Sequence, residues 1–188
     1  RRIKNIIISD LKEISDKYGQ PRKSLFAYVT EETVEAAEEI PDYPVNVFVT
    51  REGYFKKITA QSLRLSNEQK LKENDIIVLS QEATNLHDVL FFTDKCTVYK
   101  SRCSDFDDTK ASVLGEYVPS KLEFEEGEQF MYALTTLDYS ETLVIFFENG
   151  KCAKVPLSSF STKTKRKKLT GAYSDLSPVV AMFVIKEN

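Results

Sequence analysis

Apolar residues near the start of the chain recur at steps of three and four residues. They are Ile3, Ile6, Ile7, Leu11, Ile14 and Tyr18. This spacing places them along one face of an amphipathic helix, and Gly19 followed by Pro21 is expected to end it. The pattern predicts a helix over residues 3–18. Because no capping residue precedes this helix, we expect the chain to begin inside a longer one.

The segment after the helix is acidic up to about residue 42. Its carboxylates are Glu31, Glu32, Glu35, Glu38, Glu39 and Asp42. The segment precedes two prolines, Pro41 and Pro44, and is interpreted as a linker or a short solvated helix. A solvated surface is the simplest interpretation of such a charge cluster.

From residue 45 the pattern changes to that of repeated β-hairpins. Three 11-residue segments, 47–57, 90–100 and 144–154, align without gaps, and each has an apolar strand, a short polar turn and a second strand. We call this segment the hairpin motif. Gly53 and Gly150 are turn signals, because glycine accepts a positive φ at no steric cost. The last position of the motif is a lysine in every copy: Lys57, Lys100 and Lys154.

A further apolar strand follows each hairpin motif, at residues 76–79, 130–134 and 179–185. Self-similarity over 40 to 50 residues, with several strands in each unit, is typical of a propeller or a related β-repeat array. We predict a mainly β, propeller-like fold with three blades and the first strand of a fourth, preceded by the N-terminal helix. We expect this to be part of a longer array.

Composition excludes several classes of function. Apolar residues make up 41% and charged residues 29% of the 188 residues, as in ordinary soluble domains. No apolar run approaches the roughly 20 residues that cross a membrane. Three cysteines are an odd and sparse set, which favours a reducing cytoplasm over a disulfide framework. The net charge of −3 argues mildly against nucleic-acid binding, so charge must be examined locally.

No catalytic or metal-binding pattern is present. His87 is the only histidine, and Cys96 and Cys103 have neither CxxC spacing nor a histidine partner, which disfavours zinc. Four glutamates before the predicted strand at Phe130 are assigned to a polar turn: Glu123, Glu125, Glu126 and Glu128. No glycine-rich phosphate loop occurs. We therefore predict no catalytic residue, no metal and no cofactor.

Two groups of cations are candidates for DNA contact, because neutralising phosphates drives DNA binding. The repeated lysines, Lys57, Lys100 and Lys154, would space positive charge along an arc that a bent duplex can follow. A basic run adds five cations within six residues: Lys163, Lys165, Arg166, Lys167 and Lys168. The alternative, solvated strand ends and a solvated loop, stays open. Because Lys57 shares strand parity with apolar Phe55, a bulge or a snorkelling stem is needed to expose its ammonium group.

Three segments together resemble the A subunits of bacterial type IIA DNA topoisomerases, the gyrase and topoisomerase IV family. The opening helix Ile3–Gly19, followed by Pro21-Arg22-Lys23, is similar to the helix that leads out of the coiled-coil arm. The first hairpin motif is similar to the first-blade hairpin of the family's C-terminal domain. A later stretch, Lys165–Leu169 with Ala172–Ser174, is similar as well.

The resemblance implies that residues 1–43 are a helix and acidic linker from the arm. Residues 44–188 would be part of the C-terminal β-pinwheel, a six-bladed disc that binds and bends DNA along a basic rim. The implied partners are double-stranded DNA, the topoisomerase B subunit and a second A subunit in the bacterial cytoplasm, with no membrane. The family's cleavage tyrosine lies in the preceding domain and its ATP is hydrolysed by the B subunit, so this chain would have no activity of its own.

One departure and one alternative bear on function. Gyrase members of the family carry a Gln-Arg-Arg-Gly-Gly-Lys-Gly box after the first-blade hairpin, whereas residues 65–73 here contain no glycine and little excess positive charge. This favours a topoisomerase IV-like protein or a degenerate paralogue over gyrase-like wrapping. A propeller-type protein–protein interaction domain is the alternative from another class, favoured by the acidic linker and the negative net charge.

Overall fold

The computed structural model describes residues 2–20, 40–65, 68–162 and 167–185. The chain divides into an N-terminal unit, Arg1–Glu39, and a second unit, Ile40–Asn188. In the N-terminal unit, helix α1 spans Arg2–Tyr18, which confirms the predicted helix. Its apolar residues, including Ile7, Leu11 and Ile14, are exposed. The predicted acidic linker lies largely outside the described residues. Among the described residues, no helix is long and apolar enough to cross a membrane.

The second unit is mainly β, as predicted. Its strands are β1 (Pro44–Thr50), β2 (Tyr54–Thr59), β3 (Ile77–Thr84), β4 (Asp88–Thr93), β5 (Val98–Arg102), β6 (Glu116–Tyr117), β7 (Phe130–Thr136), β8 (Thr142–Phe147), β9 (Cys152–Pro156), β10 (Lys168–Leu169) and β11 (Val179–Ile185). Two short helices, α2 (Ala60–Leu65) and α3 (Val118–Lys121), lie in the connections between them, with 3₁₀ turns at Cys103–Asp105 and Leu157–Phe160.

The strands form three antiparallel sheets, each built around one hairpin motif. The first sheet has the order β3-β1-β2-β6, the second β10-β5-β4-β7 and the third β11-β8-β9. The first and last residues of the motif face each other in every copy: Val47 with Lys57, Leu90 with Lys100, and Val144 with Lys154. The repeat seen in the sequence is therefore a repeat of strand register.

Strand β11 belongs to the third sheet, so the expectation that it opens a fourth blade was wrong. It pairs with β8, just as β3 pairs with β1 and β7 with β4. The first strand of each hairpin leaves one row of backbone N–H and C=O groups unpaired, and the returning strand satisfies that row. The described residues contain three sheets and no strand of a fourth.

Successive repeats are linked by two very short strands. Strand β6 lies in the connection of the second repeat but pairs with β2 of the first sheet. Strand β10 lies in the connection of the third repeat but pairs with β5 of the second sheet. Each connection therefore crosses to the sheet of the preceding repeat and covers its open edge.

The core lies in two layers between the sheets. Alternate residues of a strand point to opposite faces, so Val89 and Phe91 of β4 pack with the first sheet, while Leu90 and Phe92 pack with the third. Burial on both faces explains why this strand is an uninterrupted apolar run. Phe146, the counterpart of Phe92 in the third repeat, is 39% exposed and stacks on another exposed ring of its own sheet.

Candidate nucleic-acid interface

Lys57 is buried, so the expectation that its ammonium group reaches solvent was wrong. Only 3% of its side chain is exposed, and its pairing with Val47 contains no bulge. Its Nζ donates to Asn85 Oδ1 at 2.9 Å and forms an ion pair with Asp108 Oδ1 at 3.2 Å. These acceptors come from the second repeat, and they replace the water that a snorkelling lysine would reach.

A tyrosine completes the cluster around Lys57, in which the side chain of Asp108 is 42% exposed. The hydroxyl group of Tyr43 donates to both carboxylate oxygens of Asp108, at 3.0 and 2.9 Å. Burial raises the pKa of Tyr43 to about 12, and the hydrogen bond to Asp108 acts in the same direction. Lys57 Nζ lies 5.7 Å from the centre of the tyrosine ring, within the range of a cation–π contact.

Lys100 is half-buried in a similar cluster. Its Nζ lies 3.1 Å from Asp88 Oδ2 and 4.8 Å from the centre of the Tyr139 ring. The Tyr139 hydroxyl group donates to the same Asp88 oxygen at 2.6 Å. Burial alone would raise the pKa of Asp88, but hydrogen bonds from Tyr139, Lys100 and Arg102 hold it below its usual range. Most of the charge of Lys100 is thus matched inside the protein.

The remaining predicted cations have different surroundings. Lys154 is exposed on β9. In the basic run, Lys163, Lys165 and Arg166 lie outside the described residues. Lys167 is 74% exposed, with its Nζ 4.0 Å from Asp105 Oδ2, and Lys168 forms an ion pair with Glu125. The structure therefore places the three repeated lysines at equivalent register positions but does not bring them onto one exposed surface.

The sequence reasoning missed a second set of exposed cations. They lie in the connection between each hairpin and its returning strand, where the basic run of the third repeat also lies: Arg64, Lys70 and Lys72 in the first repeat, and Lys110 and Lys121 in the second. Lys72 pairs with Glu52 at 2.6 Å and Lys121 pairs with Glu116. The signal that could have found them is this shared place in the repeat, rather than alignment with the motif lysines.

Among the four glutamates before β7, Glu128 has a structural role. Glu128 is 8% exposed and accepts hydrogen bonds from the hydroxyl groups of Thr93 and Tyr99 and from the Glu125 N–H group. Burial would raise the pKa of Glu128, but these hydrogen bonds keep it below its usual range. The described residues contain no cluster of three His, Cys, Asp or Glu side chains that could hold a metal ion.

Comparison with known proteins gives consistent results from sequence and structure. The chain is 29% identical over 171 residues to the DNA gyrase A protein of Streptomyces coelicolor, which covers 86% of this chain and 20% of the relative. It is 27% identical over 170 residues to the DNA topoisomerase 4 A protein of Staphylococcus aureus, covering 88% of this chain and 21% of the relative. The chain thus spans about a fifth of the length of these curated relatives. No protein-family model matches it.

Two solved structures share the fold. The C-terminal domain of DNA topoisomerase IV superposes with a TM-score of 0.67 at 22% identity, covering 77% of this chain and 46% of that one. The E. coli ParC C-terminal domain superposes with a TM-score of 0.59 at 14% identity, covering 77% of this chain and 57% of that one. The homologues of this chain are therefore the A subunits of DNA gyrase and topoisomerase IV, and its fold is that of the C-terminal β-pinwheel domain of these type IIA topoisomerases.

Proposed function

We propose that this chain is a DNA-binding and DNA-bending module from the A subunit of a type IIA topoisomerase. The observation that carries the proposal is the homology to gyrase and topoisomerase IV A subunits over more than four fifths of the chain. Both relatives are named for their action on DNA. Three similar sheets, each followed by a connection that carries cations, offer repeated phosphate contacts.

The proposed phosphate contacts are the predicted cations other than Lys57 and Lys100, together with the cations of the other connections. From the predicted set they are Lys154, Lys163, Lys165, Arg166, Lys167 and Lys168. From the other connections they are Arg64, Lys70, Lys72, Lys110 and Lys121. Phosphate contacts carry no sequence information, so binding should tolerate any duplex sequence. Lys57 and Lys100 are not part of this set, because their side chains are only 3% and 20% exposed and each pairs with a carboxylate group.

The same proposal extends to the parent protein. Residues 1–43 would be the end of the coiled-coil arm with its linker, and residues 44–188 part of the C-terminal domain. The chain itself would be non-catalytic and without a cofactor, supporting strand passage by a parent enzyme that also contains a B subunit and a second A subunit. Its location would be the bacterial cytoplasm, with no membrane partner.

The alternative, a propeller-type protein–protein interaction domain, has less support. The acidic linker and the net charge of −3 favour it. The relatives, however, are subunits of enzymes named for their action on DNA. The exposed apolar rings of the third sheet, which could suggest a protein contact, occupy the position that inter-sheet contacts fill elsewhere in the array.

Salt titration of duplex binding tests the proposal. We expect a dissociation constant on the order of micromolar or weaker at physiological salt, and an affinity that falls steeply as salt rises, by a log–log slope of about 0.9 for each phosphate contact. Two duplexes of unrelated sequence should bind equally, which controls for base readout. Binding that is absent at low salt, or that does not change with salt, would contradict the proposal.

A further inference from the structure

We propose that Lys57 and Lys100 are positioning residues that set the angle between successive sheets, and through it the path of bound DNA. The effect on DNA rests on the proposed function, whereas the effect on the sheets does not. Both lysines stand at the same register position, and neither is available to a phosphate group in the way an exposed lysine is.

Each lysine contacts a side chain at the same place in the next repeat. Lys57 donates to Asn85, and Lys100 lies over the ring of Tyr139. Asn85 and Tyr139 each stand five residues before a hairpin motif, at the corner where the chain turns into the next sheet. Both are buried, at 4% and 9% exposure. The contact between lysine and corner is thus a repeated feature, although the partner residue differs.

The backbone of the next repeat is attached at the same lysine. The N–H group of Thr109 donates to Lys57 O at 2.7 Å, and the Thr109 hydroxyl group donates to the same oxygen at 3.1 Å. At the second junction the N–H group of Lys100 donates to Lys167 O, also at 2.7 Å. The corner of each following repeat is therefore hydrogen-bonded either to the lysine or to Asp88 beside it. The crossing connection is hydrogen-bonded to the backbone of the lysine.

These hydrogen bonds fix the relative orientation of successive sheets, which the apolar core does not. The layers between the sheets are apolar, and hydrophobic contact is non-directional, so it resists separation of the sheets more than rotation. Charge-assisted hydrogen bonds are short and angle-dependent. The exposed cations of each repeat move together with the sheet that carries them. The angle between successive sheets therefore fixes the bend that a bound duplex must adopt.

The first arm of the test measures the sheets without DNA. Nitroxide labels on the exposed Ser80 and Glu148, in a Cys152→Ser background, report the distance between the first and third sheets. Lys100→Met keeps the length of the side chain and removes the charge, and Tyr139→Phe removes only the hydroxyl bond to Asp88. We expect the distance distribution to shift and broaden in both variants, less in Tyr139→Phe, and to return in Lys100→Arg. An unchanged distribution in Lys100→Met and Tyr139→Phe would overturn the proposal.

A control separates position from stability. Ile58 is fully buried but lies outside both inter-sheet layers, so Ile58→Ala should destabilise the fold without moving the labels. A shift of the same size in this variant would mean that the labels report loss of stability, and the positioning role would be lost.

The second arm measures bound DNA by energy transfer between the ends of a labelled duplex. We expect Lys100→Met to change the end-to-end distance of saturated DNA while the slope of log affinity against log salt stays as in the unaltered chain. A slope lower by about 0.9 with unchanged DNA geometry would identify Lys100 as a phosphate ligand and overturn the proposal. If the unaltered chain bound no DNA, the proposed function would fail, and the label distances would still decide the role of the lysine.

Discussion

At the seventh position of each hairpin motif the backbone is left-handed. Gly53 and Gly150 have φ values of +88° and +79°, and Cys96 holds the same place in the second repeat with a φ of +56°. In all three turns the N–H group of this residue donates to the oxygen of the residue three positions earlier, at 3.0 to 3.3 Å. Glycine marks the turn in the sequence, but register alone identifies Cys96 as its equivalent.

The two glycines offer a matched test of the turn. Alanine at either position adopts a left-handed conformation that costs about 1–2 kcal/mol. A Cβ atom on Gly53 would also lie 3.2 Å from Pro119 Cδ, whereas nothing lies within 4 Å of one on Gly150. We expect Gly53→Ala to lower the free energy of unfolding in urea more than Gly150→Ala. Equal losses would show that crowding at the first turn is unimportant.

Two equivalent phenylalanines differ in burial, and this predicts different costs. Phe92 is fully buried and makes an edge contact with Phe160 at 5.6 Å, while Phe146 is 39% exposed. Removing a buried phenylalanine ring typically costs about 3–5 kcal/mol. Urea unfolding should therefore show a loss of that order for Phe92→Ala and a much smaller loss for Phe146→Ala. A comparable loss in both would mean that the outer face of the third sheet is covered in solution.

At the scale of elements, the hairpins could be predicted because their signals are local. An apolar strand, a short polar turn and an aligned lysine lie within 11 residues, and the observed register follows them. The burial of Lys57 could not be predicted, because Asn85 and Asp108 approach it from 28 and 51 residues away along the chain. Strands β6 and β10 are two residues long and have no pattern of their own.

The hydrogen bond from Tyr139 to Asp88 of β4 predicts that the free energy of unfolding depends on pH. The folded-state pKa of Asp88 is lowered, so the stabilisation it provides is complete above the unfolded pKa of about 4 and is lost as pH falls through the folded value. Asp88→Asn should therefore lower the free energy of unfolding at pH 7, with a smaller difference from the unaltered chain at pH 3. Asp42→Asn, at an exposed position, is the control. A difference that stays constant between the two pH values would contradict this.

At the scale of the whole molecule, positive charge is dispersed and partly neutralised. The net charge is −3, and several connection cations pair with carboxylates, as Lys72 does with Glu52 and Lys168 with Glu125. Exposed ion pairs are weak, so a phosphate group can displace the carboxylate. The competition nevertheless lowers the gain from each contact, which is why we expect modest affinity. The basic run is the densest group of cations and should contribute most.

The most direct measurement of the DNA-binding account compares salt dependence in two charge variants. In one, Lys165, Arg166, Lys167 and Lys168 are changed to glutamine, and in the other Lys4, Lys12 and Lys17 of α1 are changed in the same way. We predict weaker binding to every duplex in the first variant, with the log–log salt slope reduced by up to about 0.9 for each lost contact. Per charge removed, the α1 variant should change the slope far less. An unchanged affinity and slope in the basic-run variant, or equal changes per charge in both, would contradict the account.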